Sequence, residues 1–320
     1  GIATVALYTD ADRSWSARHL ADEAVNIGVG PAIDSYLNID KVIEAAKRTG
    51  SQAIHPGYGF LAEHAQFARR CEQEGIIFIG PSAEVIDLMG NKAKARERVA
   101  DLGVPIIPGV NGSDLTDEEL SSAAQDLGYP VMIKAVAGGG GMGIRVVLRF
   151  SEFAAALSSV RHEAQAAFGD QRVLLEKYFP AVRHIEVQVL ADGQGNAVHL
   201  FERECSVQRR RQKVIEEAPS GFVTEVLRKQ LCDASLNIVN AVGYWGVGTV
   251  EFVVADNPEE TAFYFLEMNT RLQVEHGVTE AVTGLDLVHL QIAVAEGREL
   301  PLCQADITLS GHAIECRLCA

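Results

Sequence analysis

Residues 248–269 contain two runs rich in Val, Phe and Tyr, separated by a polar segment, residues 256–260, with turn composition. This pattern predicts a β-hairpin. Because side chains alternate along a strand, Glu267 and Asn269 share one face, and folding the hairpin at its centre places Glu251 opposite Glu267. Facing carboxylates repel unless a cation lies between them, and Mg²⁺ prefers such oxygen ligands. The hairpin therefore predicts a magnesium site; the alternative is a solvated acidic strand edge.

The segment that follows the hairpin, Arg271-Leu-Gln273-Val-Glu275-His, carries polar side chains at alternate positions. In an extended chain these side chains share one face. The arginine fork can bind a small planar oxyanion through two parallel hydrogen bonds, and a carboxylate beside it is a candidate general base. A surface Arg–Glu pair would explain the same residues, but their position beside the predicted metal site favours an anion site.

Length and charge limit the class of protein. A chain of 320 residues with 48% apolar residues can form two or three lobes. No apolar run approaches the ~18 residues that span a bilayer, and no charged-then-apolar leader opens the chain. The formal net charge of −15 argues against nucleic-acid binding. We therefore predict a cytoplasmic protein with neither a membrane nor a nucleic acid as its partner.

The six cysteines are scattered without a disulfide framework, which favours free thiols. Cys316 and Cys319 form a lone CxxC pair without a second pair or suitably spaced histidines, so they are a weak candidate for a zinc site.

The first 79 residues alternate between strand-like and helix-like segments. The pattern predicts strands at 2–8, 52–54 and 76–79, and helices at 39–48 and 61–73. Such alternation predicts a parallel α/β layer, in which ligands lie beyond the carboxyl ends of the strands. Residues 55–60 lie at such an end, although their two glycines are equally well explained by a tight turn.

A glycine-rich segment, residues 138–143, lies between predicted strands at 129–135 and 144–148. A dinucleotide fingerprint or a Walker loop would instead join a strand to a helix. We therefore predict a flap whose backbone amides cover phosphates, with Lys134 reaching the same anion. A flexible surface hairpin is the alternative.

Four cations lie within residues 209–213, which is costly unless anions compensate them. Glu216 and Glu217 could do so, and so could a triphosphate with a second anion; a basic targeting signal is the remaining alternative. Farther upstream, residues 173–179 form a predicted strand whose apolar residues and acid could hold an adenine and its ribose.

Four motifs together resemble one known family. They are His55-Pro-Gly-Tyr-Gly-Phe-Leu-Ala-Glu63, the flap at 138–143, Glu202-Arg-Glu-Cys-Ser-Val-Gln-Arg-Arg-Arg-Gln-Lys213 and Glu267-Met-Asn-Thr-Arg-Leu-Gln-Val-Glu-His276. The chain strongly resembles biotin carboxylase, the ATP-grasp component of biotin-dependent carboxylases such as the α subunits of acyl-CoA carboxylases. The resemblance covers essentially the whole chain.

The resemblance implies an α/β fold of three parts. A pre-ATP-grasp α/β domain would span residues 1–88, and an ATP-grasp domain 89–297, with a mobile glycine-rich lid over about 108–180. The start of a C-terminal biotin carboxylase domain would span 298–320. The implied reaction uses ATP, bicarbonate and Mg²⁺ (or Mn²⁺) to carboxylate biotin through carboxyphosphate. The implied partners are a biotin carboxyl carrier domain, a carboxyltransferase subunit and further copies of the chain in a homo-oligomer.

The resemblance also implies residue roles. Glu251, Glu267 and Asn269 would bind the metal. Arg271, Gln273 and the Val274 backbone would hold bicarbonate, with Glu275 removing its proton and Lys213 reaching the γ-phosphate and carboxyphosphate. The residues implied around ATP, which also include Glu251 and Glu267, are Lys92, Lys134, Gly140, Gly141, Glu176, Lys177, Phe179, His184, Gln208 and Arg211.

The chain departs from the family pattern at Arg211, where histidine is frequent, at Met142, where Arg or Lys is frequent, and at Gly277, where many members have proline. The last two departures resemble urea carboxylases, so a urea carboxylase component is an alternative to an acyl-CoA carboxylase.

We expect the chain to be truncated at both ends. The family's opening strand would precede Ile2. The arginine that stabilises the biotin enolate would lie beyond Ala320, and a strand beginning near Gly311 would have no partner. A nucleotide-binding fragment without full turnover is therefore a second hypothesis, and another ATP-grasp ligase, such as half of a carbamoyl-phosphate synthetase, is a third.

Overall fold

The computed structural model describes residues 1–136, 143–210, 212–255 and 262–318. Several sequence predictions lie outside these residues: the predicted hairpin turn at 256–260, Cys319, and the candidate residues Gly140, Gly141, Met142 and Arg211.

The described residues form a mixed α/β structure, as predicted. The helices are α1 (Ser16–Leu20), α2 (Ile39–Thr49), α3 (Ala65–Gln73), α4 (Ala83–Gly90), α5 (Lys92–Asp101), α6 (Asp117–Leu127), α7 (Phe153–Phe168), α8 (Glu225–Val242), α9 (His276–Thr283) and α10 (Leu287–Ala295). The strands are β1 (Val5–Tyr8), β2 (Glu23–Asn26), β3 (Ala53–Ile54), β4 (Ile77–Phe78), β5 (Gly109–Asn111), β6 (Val131–Ala135), β7 (Ile144–Val147), β8 (Val173–Lys177), β9 (Val182–Ala191), β10 (Ala197–Arg209), β11 (Gln212–Ala218), β12 (Gly246–Ala255), β13 (Phe263–Asn269) and β14 (Ala313–Cys316).

The N-terminal strands pair in parallel, β1 with β2 and β3 with β4, which confirms the predicted parallel pairing. They form two separate two-stranded sheets, and β2 was not predicted. Helix α2 begins after Asn38, whose side chain accepts a hydrogen bond from the Lys41 amide, and ends at Gly50 in the left-handed conformation. Helix α3 begins at Ala65, four residues later than predicted, because His64 caps its first turn and residues 61–63 form a turn.

The second unit is a four-stranded antiparallel sheet in the order β5-β8-β6-β7. Its buried face packs against α6 and α7 through an apolar cluster that includes Ile133, Leu157 and Leu175. The chain enters this sheet through residues 107–109 and leaves it through residues 176–178, and the two segments meet where the Lys177 amide donates to the Pro108 carbonyl over 2.8 Å.

The central sheet has six strands in the order β13-β12-β9-β10-β11-β14. Strand β9 shows how this sheet separates core from site. Ile185, Val187 and Val189 pack with α8 in the largest apolar cluster, whereas Glu186 and Gln188 alternate with them and point to the opposite face. Polar side chains therefore collect on one face of the sheet while the other face is covered.

The last strand corrects a prediction. The strand near Gly311 was expected to lack a partner, but β14 pairs antiparallel with β11 at the edge of the central sheet, with Ile215 opposite Cys316. The partner lies about a hundred residues earlier in the sequence, so local pattern could not reveal this pairing.

No single helix among the described residues is long and apolar enough to cross a membrane. The bent pair α9 and α10, at an angle of 97°, meets the length and composition criteria only when the two helices are taken together.

Candidate active site

A cleft of about 730 Å³ lies between the central sheet, the four-stranded sheet and the loop after β3. Most of the predicted site residues line it: Lys92, Lys134, Glu176, His184, Gln208, Lys213, Glu251, Glu267, Asn269, Arg271, Gln273, Val274 and Glu275. Lys177 and Phe179 are not among the residues that line the cleft. The structure thus brings together side chains that are up to 183 positions apart in the sequence, from Lys92 to Glu275.

The hairpin register agrees with the strand-parity argument. Glu251 on β12 lies opposite Glu267 on β13, and Thr249 lies opposite Asn269. Asn269 Nδ2 donates to Glu251 Oε1 over 2.7 Å. The expectation that these two carboxylates and this amide share one place in the fold is confirmed; their role as metal ligands stays a prediction.

Lys213 on β11 is the centre of the charge cluster in this cleft. Its ammonium group contacts three carboxylates: Glu251 at 2.9 Å, Glu275 at 2.7 Å, and Glu186. Glu216 and Glu217, which were candidate partners for the basic segment, instead pair with Arg317 and His312. The compensating anions therefore come from three other elements.

A fully buried arginine, Arg203 on β10, binds residues of this cluster through its guanidinium group. Its Nε donates to Glu186 over 2.9 Å, and its terminal nitrogens donate to Gln188 over 2.7 Å and to Gln273. Because an arginine only donates hydrogen bonds, the contact with Gln273 Oε1 fixes the orientation of that amide. The Gln273 Nε2 group then donates to Glu251 over 2.8 Å.

The pKa shifts follow this charge arrangement. Burial alone would lower the pKa of Lys213, but Glu186, Glu251 and Glu275 outweigh burial and raise it. Burial alone would raise the pKa of Glu251, but His184 and Lys213 hold it below its ordinary value. The cluster therefore consists of charged groups that stabilise one another within the cleft wall.

The pKa of Glu267 is raised, whereas that of Glu251 is lowered. Burial raises its pKa, and the nearby charge of Glu251 raises it further. A divalent cation beside these two carboxylates would remove that repulsion, and two carboxylates with the Asn269 amide oxygen are a donor set that suits Mg²⁺. These three residues therefore fit the predicted cation.

A second group of potential ligands is better explained by ion pairing. Ligand atoms of His184, Glu186 and Glu251 lie within 4.8 Å of one another. His184 Nε2 lies 2.9 Å from a carboxylate oxygen of each glutamate, and the two carboxylates also accept hydrogen bonds from Arg203 and Lys213. His184, Lys213 and Arg203 therefore compensate the charges of Glu186 and Glu251 at this place.

Arg271 lies two residues after β13 and lines the cleft. Its Nε donates to Glu63 over 2.9 Å, Nη1 donates to the Leu272 carbonyl over 3.1 Å, and Nη2 donates to Asn269 over 3.1 Å. Glu63 belongs to the loop after β3, 208 positions earlier. The guanidinium group is therefore held from several directions at the edge of the cleft.

Glu275 is 2% exposed and lies between two cations, Lys213 and Arg317. Arg317 Nη2 donates to its second oxygen over 2.7 Å, and Arg317 Nε lies 2.6 Å from Glu216. Arg317 lines the cleft. The pairing of β14 with β11 carries this arginine to the site, so the edge strand has a direct part in building it.

The entry and exit of the four-stranded sheet meet at a buried glutamate. Glu176 contacts Arg96 at 2.5 Å and also Lys134. Lys177 points away and donates to the Gly128 carbonyl over 2.7 Å, and Phe179 stacks on Tyr264 with ring centroids 5.2 Å apart. Lys134 and Glu176 therefore lie together in the cleft wall, with Lys177 and Phe179 just outside it.

The loop after β3 contributes Tyr58 and Gly59 to the cleft. Gly57 and Gly59 have φ angles of +64° and +77°, the left-handed region that favours glycine. The tight turn thus accounts for both glycines. It also places Tyr58, which lies between them, in the cleft wall.

Sequence reasoning missed five residues of this arrangement: Glu63, Arg96, Glu186, Arg203 and Arg317. Each of them binds a predicted site residue. Glu186 carried a signal, because it lies in a cleanly alternating strand where its side chain shares a face with His184. The other four depend on contacts across long sequence separations.

Two family comparisons cover most of the chain. Residues 1–86 match the family described as biotin carboxylase, N-terminal domain. Residues 91–303 match the family described as carbamoyl-phosphate synthase L chain, ATP binding domain.

Individual relatives agree with these matches. The chain is 52% identical to the mitochondrial methylcrotonoyl-CoA carboxylase subunit alpha of Dictyostelium discoideum, over 100% of the chain and 45% of that protein. It is also 52% identical to biotin carboxylase 1 of Bacillus subtilis, over 99% of the chain and 70% of that protein. The chain thus spans less than half of the first relative and about two thirds of the second.

A solved structure shows the same fold. The biotin carboxylase domain dimer of the Hydrogenobacter thermophilus 2-oxoglutarate carboxylase, in complex with MgADP, ADP and bicarbonate, superimposes with a TM-score of 0.94 at 46% identity. The comparison covers 99% of this chain and 69% of that one. The fold is therefore that of an N-terminal biotin carboxylase domain followed by an ATP-grasp domain, as the sequence motifs predicted, and the chain belongs to the biotin carboxylase family.

Proposed function

We propose that this chain catalyses the ATP-dependent carboxylation of biotin, in which bicarbonate is phosphorylated to carboxyphosphate and then supplies the carboxyl group. The observation that carries this proposal is that Lys213, Glu275, Arg271 and Gln273 line the same cleft, with Lys213 2.7 Å from Glu275. A basic residue for the phosphoryl group, a carboxylate base and a planar anion clamp are the parts that this reaction needs.

The proposed roles follow the chemistry of each group. Arg271, with the Gln273 side chain and the Val274 backbone, would hold bicarbonate in a fixed plane. Glu275 would accept its proton, so that the resulting dianion can attack the γ-phosphate. Lys213 would neutralise the charge that develops on the transferring phosphoryl group.

The nucleotide would occupy the part of the cleft that lies beneath the four-stranded sheet. Lys92 and Lys134 would contact its phosphates, and Glu176 with Lys177 and Phe179 would border its base and ribose. His184 and Gln208 complete the set proposed around the nucleotide, and Gly140, Gly141 and Arg211 remain proposed members outside the described residues. Glu251, Glu267 and Asn269 would hold Mg²⁺ or Mn²⁺, which supplies charge neutralisation and alignment of the phosphates when bound.

Biotin needs an arginine to stabilise its enolate, and the sequence comparison with the family suggested that this residue lies beyond Ala320. We assign the role to Arg317 instead. It lines the cleft and donates to Glu275, so a biotin ring at this position would be within reach of both the arginine and the bicarbonate-derived intermediate.

The proposed partners are a biotin carboxyl carrier domain, a carboxyltransferase subunit and a second copy of the chain. An acyl-CoA is the proposed final acceptor, which the 50–52% identity to methylcrotonoyl-CoA carboxylase alpha subunits supports. Urea remains the alternative acceptor. The proposed location is the cytoplasm.

ATP hydrolysis by the purified protein tests the proposed function. We expect hydrolysis to require both bicarbonate and Mg²⁺ and to be stimulated by free biotin. ATP binding without such turnover would support a nucleotide-binding fragment instead. Turnover that depends on ammonia or glutamine would support a carbamoyl-phosphate synthetase type of reaction, to which the match of residues 91–303 also points.

A further inference from the structure

The loop after β3 supplies a carboxylate to the proposed bicarbonate site. Glu63 Oε1 accepts a hydrogen bond from the Thr270 amide over 3.1 Å, and Oε2 accepts one from Arg271 Nε over 2.9 Å. Both oxygens of one side chain thus bind two consecutive residues of the segment that follows β13. The contact joins the two parts of the chain that match different families, residues 1–86 and 91–303.

The backbone that presents Glu63 is well fixed. Leu61 and Ala62, the two residues before it, are 5% and 1% exposed. The Ala62 amide donates to the Gly59 carbonyl over 2.9 Å, and the His64 amide donates to the Leu61 carbonyl over 3.2 Å. The Glu63 side chain is 38% exposed, but it starts from this fixed turn and each of its oxygens accepts a hydrogen bond, so its carboxylate is held in place.

The contacts of Arg271 leave its anion-binding face available. A guanidinium group has five N–H donors. Within the described residues, the three hydrogen bonds to Glu63, Leu272 and Asn269 use one N–H on each nitrogen. One further N–H on each terminal nitrogen is left to bind an oxyanion, and the Nε contact with Glu63 restricts rotation of the group.

We infer that Glu63 is a positioning residue that orients Arg271 and the Thr270 backbone for bicarbonate, an inference that rests on the proposed function. Its carboxylate binds Nε of the guanidinium and leaves the remaining N–H groups of the terminal nitrogens to the anion. The N-terminal part of the chain therefore sets the affinity of a substrate site whose binding residues all belong to the ATP-grasp part.

Steady-state kinetics of Glu63→Gln test this inference. Glutamine keeps the shape of the side chain but has one acceptor oxygen and no charge. We expect kcat/KM for bicarbonate to fall roughly 10- to 100-fold, the range for loss of one hydrogen bond between charged groups. The KM for ATP and the Tm should stay at their wild-type values. Glu63→Asp, which is one methylene too short to reach Arg271, should show the same selective loss.

Asp40→Asn is the matched control. It removes a carboxylate from the same part of the chain, where Asp40 pairs with Arg70 at 2.7 Å on the surface, and should leave all kinetic constants unchanged. A binding measurement accompanies the kinetics: in the presence of Mg-ADP, bicarbonate should raise the Tm of the wild type more than that of Glu63→Gln, with chloride as the ionic-strength control.

The outcomes separate the two proposals. A wild-type protein without bicarbonate-dependent ATP hydrolysis would contradict the proposed function itself, whatever Glu63 does. An active wild type with an unchanged kcat/KM for bicarbonate in Glu63→Gln would overturn the positioning role. A variant whose Tm or ATP affinity falls together with its bicarbonate kinetics would also overturn it, because Glu63 would then support the fold rather than the substrate site.

Discussion

Three carboxylates sharing one ammonium group define the site at the scale of single residues. Lys213 is surrounded by Glu186, Glu251 and Glu275, and the buried Arg203 balances part of their charge. Removing one partner from such a buried group leaves an uncompensated charge. The arrangement therefore fixes the Lys213 side chain, and each carboxylate in it can have a role in addition to ion pairing.

Replacing Glu275 with glutamine separates those roles. The amide keeps the volume of the side chain and can still accept from Lys213 or Arg317, but it cannot take a proton from bicarbonate. We expect bicarbonate-dependent turnover to fall by about 10²–10⁴, the range for loss of a general base, while the affinity for ATP is retained. Activity assays and equilibrium nucleotide binding check this expectation.

Glu296→Gln is the control for this substitution, since Glu296 is an exposed residue that pairs with Arg298 at 2.7 Å. Parallel loss of turnover and ATP binding in Glu275→Gln would show that the residue supports the whole cleft, and the assignment as a base would be wrong.

Strand parity was sufficient to predict some residues of the site and not others. Alternation along one hairpin placed Glu251, Glu267 and Asn269 correctly because all three lie on adjacent strands of known connection. Arg203 could not be found in this way. Its five acceptors lie on β9, β12, α9 and the segment after β13, so its role depends on the register of several strands at once.

At the scale of secondary-structure elements, helix α5 holds the four-stranded sheet at both of its ends. Arg96 Nη1 donates to Glu176 over 2.5 Å, at the exit of the sheet, and Nη2 donates to the Ile107 carbonyl over 2.8 Å, at its entry. Cationic side chains are mostly exposed to solvent. Arg96 differs because it is 8% exposed and faces the cleft.

Arg96→Met therefore tests how helix α5 holds the four-stranded sheet. The methionine fills much of the same volume but leaves Glu176 with Lys134 as its remaining ion-pair partner. We expect the free energy of unfolding to fall by about 1.5–3 kcal/mol, the cost of losing hydrogen bonds to a charged group, and the KM for ATP to rise. Chemical denaturation and steady-state kinetics measure the two effects.

Arg98→Met is the comparison for this variant. Arg98 lies on the same helix and donates to the Ala241 carbonyl over 2.8 Å, away from the cleft. If both variants changed the KM for ATP equally, Arg96 would have no specific part in holding the nucleotide-binding wall.

Some secondary-structure elements were predicted from the sequence and others were not. Helix α2, predicted over 39–48, is observed at Ile39–Thr49, and the helix predicted over 61–73 is observed as α3 at Ala65–Gln73. Helices α4, α6 and α9 were not predicted; two of them have only eight residues, too few for a clear period. The edge strand β14 was recognised, but its partner was not, because pairing over a long sequence separation leaves no local pattern.

At the scale of the whole molecule, the loop of residues 55–63 is one of the places where the N-terminal α/β part contacts the ATP-grasp part. Glu63 binds the segment after β13, and His55 binds α10. His55 Nε2 lies 3.1 Å from Gln291 Oε1, and the Gly57 amide donates to His55 Nδ1 over 3.0 Å. Since Nδ1 accepts, the ring proton resides on Nε2, and the neutral imidazole satisfies both contacts.

This geometry makes the junction sensitive to acid. Burial lowers the pKa of His55, although the bond to Gln291 partly opposes the shift. The unfolded chain then takes up a proton near the ordinary histidine pKa of about 6.5, before the folded protein does. The unfolded state binds more protons in this range, so the free energy of unfolding decreases as the pH falls below about 6.5.

His55→Gln isolates this contribution. Glutamine can donate to Gln291 and has no proton to gain, so we expect the drop in Tm between pH 7.5 and 5.5 to be smaller than in the wild type. His19→Gln, which removes an exposed histidine of α1, should leave the drop unchanged. His199 has a pKa lowered by burial as well, so part of the acid sensitivity should persist. Differential scanning calorimetry at the two pH values measures these changes. If the Tm of His55→Gln fell as much as that of the wild type, protonation of His55 would not account for the acid sensitivity.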